Sequence, residues 1–419
     1  MGDQEPRLST PGKVELYCRK AKWRGRECYV LGNGFVQLTT LTGGGHIAEL
    51  RFEKASGKPT MSPLWIPPWK TVDSHKYDPQ KHSATYGSTT EGKLLAGITG
   101  HNLCLDYFGS PSPEEADLGL SLHGEAPSSN WRVIRHDPIA PIADIKLSVR
   151  LPVAGLRFTR QMSLQKDESV IYFKETVTNE RKADHFFHWT QHVTLGPPFI
   201  NKGDSRIMLP GSRCLTFPHG YDEGKALLAS GRAFRWPNAP SRTNRTLDLT
   251  EPFSRAGRGF VVGVLLDRRR NAGFVAAFNR KERLVMGYCF LRTDFPWVTV
   301  WEENLAIQAT PWRGRTKALG LEFGTTPLPV ARRENFVANG PLFGTPTITF
   351  VPARGEKQVR YLCFLAAVPE KFGEIQDIKL GGKEIILIGS RRHNEVRVRA
   401  SRLAENVCRM GPDGFRSPC

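Results

Sequence analysis

The chain has 419 residues, of which 39% are hydrophobic, so it can bury a large core as one β domain or as two smaller ones. Lysine and arginine (59) outnumber aspartate and glutamate (41), giving a formal net charge of +18. No apolar run approaches the roughly 20 residues that span a bilayer, so we expect no membrane partner. The opening MGDQEPRLSTPGK lacks the apolar centre of a signal peptide and predicts a cytoplasmic protein.

The positive charge favours anionic partners such as nucleic acid or acidic sugars. The basic groups are short and scattered, however, and no recognised nucleic-acid-binding motif accompanies them. We therefore expect no nucleic-acid partner and keep an anionic sugar as an alternative ligand. The basic groups lie at residues 19–20, 268–270 and 391–392.

Short runs with the periodicity of strands recur along the chain and predict an all-β sandwich or barrel. Residues 28–41 are predicted to be two strands joined by Asn33-Gly34, a dipeptide typical of tight hairpins. Only two short helices are predicted, at 112–118 and 401–408. Further strands are predicted at 46–52, 145–151, 156–164, 170–177, 260–266, 274–278, 284–290, 297–301, 318–323, 347–351 and 359–367.

Two irregular stretches, 56–105 and 211–252, interrupt the strands. Long loops on a β scaffold commonly line binding sites, although they can equally be harmless insertions. We divide the chain into an N-terminal extension (1–22), one β-sandwich domain (23–369), and a small β extension with a C-terminal tail (370–419).

The eight cysteines lie far apart, with no close pairs. Such spacing is typical neither of a zinc ribbon nor of a dense disulfide framework. We expect reduced, mostly buried thiols. The cysteines are at positions 18, 28, 104, 214, 289, 363, 408 and 419.

The segment ADHFFHWTQHVTLGPPF (183–199) contains three of the eleven histidines. Its aromatic and β-branched residues predict a strand over 186–195, which the following Gly-Pro-Pro ends. Alternation places His188, Thr190 and His192 on one face of that strand. His188 and His192 would then lie roughly 13 Å apart, too far to bind one metal ion, so we predict no metal site. These histidines are either core residues with satisfied hydrogen bonds or include one acid–base residue.

Acidic residues lie inside one predicted strand and at the end of another. Glu322 lies inside the apolar run LGLEFG, where burial would raise its pKa toward the range of a general base. The pair Glu302-Glu303 follows another strand and is predicted to be a solvated strand end, not a catalytic dyad.

Taken in order, these pieces resemble the aldose 1-epimerase (galactose mutarotase) family. The resemblance spans about residues 29–364 and implies a large antiparallel β-sandwich, the galactose mutarotase-like supersandwich. The similar stretches are Gly44-Gly45-His46-Ile47-Ala48, Leu122-His123-Gly124 with Trp131, Thr190-Gln191-His192, Leu321-Glu322 with Pro327, and Ala353-Arg354-Gly355-Glu356 with the strand at 361–364.

The resemblance implies an enzyme that opens and closes a sugar ring to interconvert anomers. Glu322 would be the base that takes the proton of the C1 hydroxyl, and His192 the acid that protonates the ring oxygen. His123 would hydrogen-bond the sugar near that oxygen. The reaction requires no metal and no organic cofactor, and the expected partner is a small carbohydrate.

The sequence departs from the family pattern in the residues that hold the sugar. His101 and Asn102 stand where the family has an Asn-Arg pair. The predicted substrate-binding residues are therefore His101, Asn102, His188 and Gln191. The sugar-binding aspartate of the family has no matching motif, although Asp248 and Asp267 lie in the corresponding region.

Two other functions remain open. A polysaccharide lyase or glycosidase acting on acidic carbohydrate would, as a lyase, expose a Tyr or His base beside an Arg or Asn that neutralises a uronate. A non-catalytic sugar-binding protein would hold Glu322 in a buried ion pair. An epimerase is expected to place His192 and Glu322 across one cleft, with a pyranose ring between them.

Overall fold

Strands are the main regular element of the chain, which contains many β-branched and aromatic residues. The structure, a computed structural model, describes residues 16–139, 142–222, 224–337, 341–390 and 394–407. The helices are α1 (Pro79–Tyr86), α2 (Thr90–Gly97), α3 (Pro113–Asp117), α4 (Arg332–Val337) and α5 (Leu403–Val407), with 3₁₀ turns at Lys54–Ser56, Ser74–Lys76, Ala126–Ser128 and Glu370–Phe372. The strands are β1 (Tyr17–Trp23), β2 (Arg26–Gly32), β3 (Val36–Leu41), β4 (Ile47–Phe52), β5 (His101–Cys104), β6 (Arg132–Ile139), β7 (Ile142–Leu151), β8 (Leu156–Gln165), β9 (Val170–Asn179), β10 (His185–Phe187), β11 (Thr190–Leu195), β12 (Ser205–Met208), β13 (Gly211–Thr216), β14 (Ala233–Arg235), β15 (Asn238–Pro240), β16 (Thr246–Asp248), β17 (Arg258–Leu266), β18 (Ala272–Asn279), β19 (Leu284–Leu291), β20 (Trp297–Asn304), β21 (Lys317–Gly324), β22 (Thr349–Val351), β23 (Glu356–Ala367), β24 (Ile375–Gly381), β25 (Glu384–Gly389) and β26 (Glu395–Arg399).

Two large antiparallel sheets pack face to face and confirm the predicted β-sandwich. Within the described residues, the first sheet has the strand order β1-β2-β3-β4-β5-β11-β21-β20-β17-β13-β14, and the second has β12-β18-β19-β23-β9-β8-β7-β6. Their facing side chains form one core, in which the Phe290 ring of the second sheet stacks on the Phe323 ring of the first, with centroids 4.4 Å apart. Burial of such aromatic surface is a main contribution to the folding free energy.

The predicted strands and the two predicted helices each overlap an element of the structure. The hairpin at Asn33-Gly34 is confirmed: Gly34 adopts a φ of 75°, and the Asn33 side-chain oxygen accepts from the N–H groups of Phe35 and Val36. Helices α1 and α2 lie inside the stretch 56–105 that we predicted to be a loop. The start signal of α1 is Asp78, whose side chain caps the helix by accepting from the N–H of Gln80.

The strand predicted over 186–195 is two strands, so that prediction was wrong in part. Strand β10 pairs with β22, whereas β11 lies between β5 and β21 in the first sheet. The chain leaves the ladder at His188, whose N–H donates to the carbonyl of Asp106, and at Trp189, whose N–H donates to the hydroxyl of Thr325. Strand alternation therefore does not relate His188 to His192.

Both ends of the described chain add strands. Strand β1, which lies mostly within the predicted N-terminal extension, pairs with β2 along its whole length. Strands β24, β25 and β26 form a third sheet, which packs with α5 on the outer face of the second sheet. Phe372, Ile385 and Leu403 contribute to the apolar cluster formed there.

The cysteines at 18, 28, 104, 214, 289 and 363 are buried free thiols, as predicted, and the remaining two lie outside the described residues. Among the described helices, none is both long and apolar enough to cross a membrane.

The prediction that Glu302 and Glu303 form a solvated strand end was wrong, because both are buried. They lie on opposite faces of β20. Glu302 points into the core, where its Oε2 accepts from the N–H of Phe253 at 2.6 Å. Glu303 points the other way and accepts from the hydroxyl of Tyr221 at 2.7 Å. Burial raises the pKa of Glu302 from 4.5 to about 8.

We predict that Glu302 makes the protein less stable as the pH rises. Folded Glu302 keeps its proton up to about pH 8, whereas the unfolded chain releases it near 4.5, so the folded state binds more protons within that window. The free energy of unfolding of the wild type, relative to that of Glu302→Gln, should fall by about 1.4 kcal/mol per pH unit. Urea denaturation at pH 5.5, 6.5 and 7.5 measures this difference, and parallel curves for the two proteins would contradict it.

Candidate active site

A cleft of about 400 Å³ lies on the outer face of the first sheet. Side chains alternate between the two faces of a strand, so Val193 of β11 and Leu321 of β21 enter the core while their neighbours His192 and Glu322 face the cleft. Helix α2 and the loops at 217–222 and 307–312 form its walls. The polar side chains that line the cleft are Glu91, His123, His192, Tyr221, Asp222, Thr299, Thr310 and Glu322.

His192 and Glu322 are neighbours across two paired strands. Gln191 is opposite Phe323 and Thr194 is opposite Gly320, a register that sets His192 directly opposite Glu322. Nε2 of His192 lies 3.3 Å from Oε1 of Glu322. The expectation that a pyranose ring would fit between them was therefore wrong, because directly opposite residues have Cβ atoms only about 5 Å apart.

Gly320 provides the space for the Glu322 carboxyl group. The two residues are two positions apart on β21 and share one face of the strand. A Cβ at position 320 would collide with Oε1 of Glu322. Glycine at this position therefore lets the carboxyl group fold back toward its own strand.

Burial determines the protonation of the His192–Glu322 pair. Glu322 is 2% exposed, and burial raises its pKa well above 4.5. Burial also lowers the pKa of His192 well below 6.5, and the neighbouring His123 lowers it further. Both shifts favour the uncharged form of the pair, a protonated carboxyl group beside a neutral imidazole. The second ring nitrogen of His192 lies 3.1 Å from the hydroxyl of Thr194, which orients the ring.

His123 faces the same corner of the cleft from a tight turn. Its φ of 71° and the φ of 79° at Gly124 are both left-handed, and their turn brings the ring within 4.8 Å of the His192 ring. Nδ1 of His123 donates to the carbonyl of Phe108 at 2.6 Å. Because burial lowers the pKa of His123 to about 4, its Nε2 carries no proton at neutral pH and can accept a hydrogen bond.

Two of the predicted substrate-binding residues, His101 and Gln191, lie between the sheets and do not line the cleft. The His101 ring nitrogens lie 3.0 Å from the Tyr288 hydroxyl and 2.9 Å from Oε1 of Gln191. Nε2 of Gln191 donates to the fully buried Glu175, which pairs with the equally buried Arg160 at 2.6 Å. Both residues belong to a polar network of the core.

Asn102 and His188 are also absent from the lining of the cleft. Asn102 is opposite His192 in the ladder between β5 and β11, but it is completely buried. His188 lies behind Phe108 and accepts from its N–H at 3.2 Å. Since the Phe108 carbonyl in turn holds His123, His188 supports the turn that carries His123.

The structure brings residues to the cleft that sequence reasoning missed. Asp222 lines the cleft from the irregular stretch 211–252, whereas Asp248 and Asp267 do not line it. Trp301 also lines it, and its Nε1 donates to the hydroxyl of Tyr221 at 3.0 Å. For Asp222 the sequence offered one signal, the irregularity of residues 211–252. Such irregularity predicts a binding loop without indicating which residue faces the ligand.

No protein-family model and no curated protein matches the sequence. Solved structures do match. A galactose mutarotase-like protein from Clostridium acetobutylicum superposes with a TM-score of 0.56 at 11% identity, covering 84% of this chain and 99% of that one.

The chain has the galactose mutarotase-like fold. Two further structures agree with this assignment. A protein from Klebsiella pneumoniae that is provisionally described as an aldose 1-epimerase has a TM-score of 0.56 at 15% identity, over 81% of this chain and 79% of its own. A galactose mutarotase related enzyme from Lactobacillus acidophilus has a TM-score of 0.50 at 14% identity, over 81% of this chain and 97% of its own. At these identities the similarity defines the fold alone.

We predict that the imidazole of His192 is neutral at pH 7 and stays neutral in Glu322→Gln, because burial and not an ion pair sets its protonation. Imidazole ¹⁵N NMR spectra of both proteins at pH 6.0 to 7.5 measure this, with His123 expected as the Nδ1-protonated form. An imidazolium signal from His192 in the wild type that disappears in the variant would show an ion pair instead.

Proposed function

We propose that the cleft catalyses the interconversion of sugar anomers, as an aldose 1-epimerase does. The observation that carries the proposal is the 3.3 Å contact between His192 and Glu322 on the floor of the cleft. The C1 hydroxyl and the ring oxygen of a cyclic sugar are bonded to the same carbon. An acid and a base that lie side by side can therefore act on both oxygen atoms together.

The protons balance across the ring opening. Transfer of one proton from Glu322 to His192 gives a carboxylate and an imidazolium. The carboxylate then takes the proton of the C1 hydroxyl while the imidazolium protonates the ring oxygen, which opens the ring to the aldehyde. Glu322 is again protonated and His192 neutral, as in the free site. Reversal of these steps on the other face of the carbonyl gives the second anomer.

His123 is assigned to substrate binding near the reacting atoms. Its Nε2 can accept a hydrogen bond from a sugar hydroxyl, because Nδ1 is committed to the Phe108 carbonyl. Phe108 itself stacks on the His123 ring at 5.6 Å between centroids, which restricts the orientation of the imidazole. The arrangement therefore presents an acceptor in a defined direction next to His192.

The lining of the cleft favours an uncharged sugar. Glu91 and Asp222 place carboxyl groups there, and the described lining residues include no arginine, lysine or asparagine. A uronate or a sugar phosphate would be repelled by these groups and would find no cation to pair with. The apolar surface of Trp301 and Trp312 suits the C–H face of a pyranose.

The same features disfavour the two alternatives. A uronate lyase would need an Arg or Asn beside its base, and the described lining has neither. A non-catalytic binding protein was expected to hold Glu322 in a buried ion pair. Burial alone raises the pKa of Glu322, and the residue next to it is a histidine whose pKa is lowered, which argues for an uncharged pair.

We predict that His192→Ala and Glu322→Gln each reduce kcat by about 10² to 10⁴, because each removes one proton-transfer group while leaving the cleft open. NMR magnetisation transfer between the anomers of neutral aldoses measures the rate, with 6-phosphates and uronic acids as charged comparisons.

His136→Ala and Glu27→Gln, which change exposed residues away from the cleft, are the matched controls and should retain wild-type rates. The proposal would be refuted if the wild type did not accelerate anomer exchange. It would also be refuted if the control variants lost as much of the exchange rate as the site variants.

We predict that Asp222→Asn raises KM about tenfold or more while kcat changes little, because the Asp222 carboxylate accepts from sugar hydroxyls remote from C1. The steady-state kinetics of the best aldose give both constants. The control is Asp248→Asn, an exposed aspartate outside the cleft, which should leave both unchanged. A fall in kcat with KM unchanged would assign Asp222 to the chemical step instead.

A further inference from the structure

A second surface with binding features lies on the opposite side of the sandwich from the cleft. The outer face of the second sheet is covered by the third sheet and α5 only in part. Elsewhere strands β7, β8, β9 and β23 present a shallow polar groove of about 410 Å³ to solvent.

Cations form a row at one end of this groove: Lys146 and Lys174 line it, and Arg360 lies beside Lys174 on β23. The strand registers place Lys146 opposite Gln161, Gln161 opposite Lys174, and Lys174 opposite Arg360. Neighbouring strands lie about 4.8 Å apart, so three positive charges fall within about 15 Å on one face. Lys174 is exposed, and Lys146 and Arg360 are half-buried.

No acid balances this row in the described part of the chain. None of the three cations makes an ion pair or a side-chain hydrogen bond there. Gln161, the one neutral member, donates to Asp144, which also pairs with Arg135. Like charges on directly opposite residues, such as Lys174 and Arg360, destabilise a sheet. Their presence indicates a role other than stability.

The acids of the groove lie at its other end and already have partners. Glu180 pairs with both Arg150 and Arg157, at 2.8 and 2.6 Å. Glu356 accepts from the Thr178 hydroxyl at 2.9 Å. The cation row is therefore the electropositive end of the groove.

A row of uncharged hydrogen-bonding groups lies between the two ends. The registers align Ser148, Thr159, Thr176 and Gln358 across the same four strands. Hydroxyl and amide side chains can each donate to and accept from sugar hydroxyls. The described residues that line the groove include no aromatic side chain, so the surface lacks a platform on which unpaired bases could stack.

We propose that this groove binds an acidic polysaccharide, with its carboxylate or sulfate groups on the row Lys146, Lys174 and Arg360 and its hydroxyl groups on the uncharged row that contains Thr159 and Thr176. Its ligand is a polyanion, whereas the ligand of the cleft is an uncharged sugar. The site is independent of the chemistry at His192 and Glu322.

Binding of the full chain to polygalacturonate and to heparin, measured by biolayer interferometry at low ionic strength, tests the proposal. We expect both polymers to bind with an affinity that falls with added salt, and dextran, a neutral polymer, not to bind. The variant K146Q/K174Q/R360Q should weaken binding about tenfold or more, because each neutralised contact removes part of the salt-dependent attraction.

The matched control is K54Q/R255Q/K281Q, which removes the same charge from exposed positions outside the groove and should bind within about twofold of the wild type. Thr176→Val should weaken the binding of both polysaccharides but leave any binding of a DNA duplex unchanged, because it removes one hydroxyl group and no charge.

Thermal unfolding of the groove variant should occur at or above the wild-type temperature, since it relieves repulsion between opposite residues. The single variant Lys174→Gln gives the same test with a smaller perturbation. The proposal would be overturned if the groove and control variants lost polysaccharide binding equally, or if the wild type bound neither polysaccharide. Tighter binding to DNA or to phosphatidylserine vesicles than to either polysaccharide would also overturn it.

Discussion

The antiparallel register between β11 and β21 is the constraint on which the cleft depends. It sets His192 opposite Glu322, and the glycine at position 320 leaves the space that the carboxyl group occupies. A slip of one residue in either strand would turn one of the two side chains into the core. The proton transfer that we propose therefore relies on a backbone ladder as much as on the two residues themselves.

A polar network between the sheets holds this register from behind. Gln191 precedes His192 on β11 and points into the core, where it bonds to both Glu175 and Arg160. These two ions are fully buried, and either would be costly to leave unpaired. The strand thus has a charged anchor on its core side and an uncharged acid–base pair on its cleft side. Histidine is used in both places: His101 within the network and His192 in the cleft.

The net charge of +18 does not predict how charge is distributed on either of the two candidate binding surfaces. The cleft carries carboxyl groups and, among its described lining residues, no lysine or arginine. On the second sheet, three cations without ion-pair partners among the described residues lie in one row across neighbouring strands. An anionic sugar, which composition favoured as a ligand, is the class that we propose for the groove, whereas we propose an uncharged sugar for the cleft. Burial also differs between the two, since the cleft histidines titrate below their ordinary pKa while the cations of the row face water.

Local features of the sequence were enough to predict the fold class, the hairpin at Asn33-Gly34 and the unusual environment of Glu322. Each of these depends on neighbours within a few positions: strand periodicity, turn chemistry and the apolar run around a single carboxylate. The sequence could not place His101, Glu302 or Asp222, because the partners that decide their roles are distant in the chain. His101 bonds to Tyr288, 187 positions away, and Glu302 accepts from the backbone at Phe253, 49 positions away. The pairing of strands and the closure of the sandwich create these neighbours, so only the tertiary structure decided which polar residues face ligand and which are held in the core.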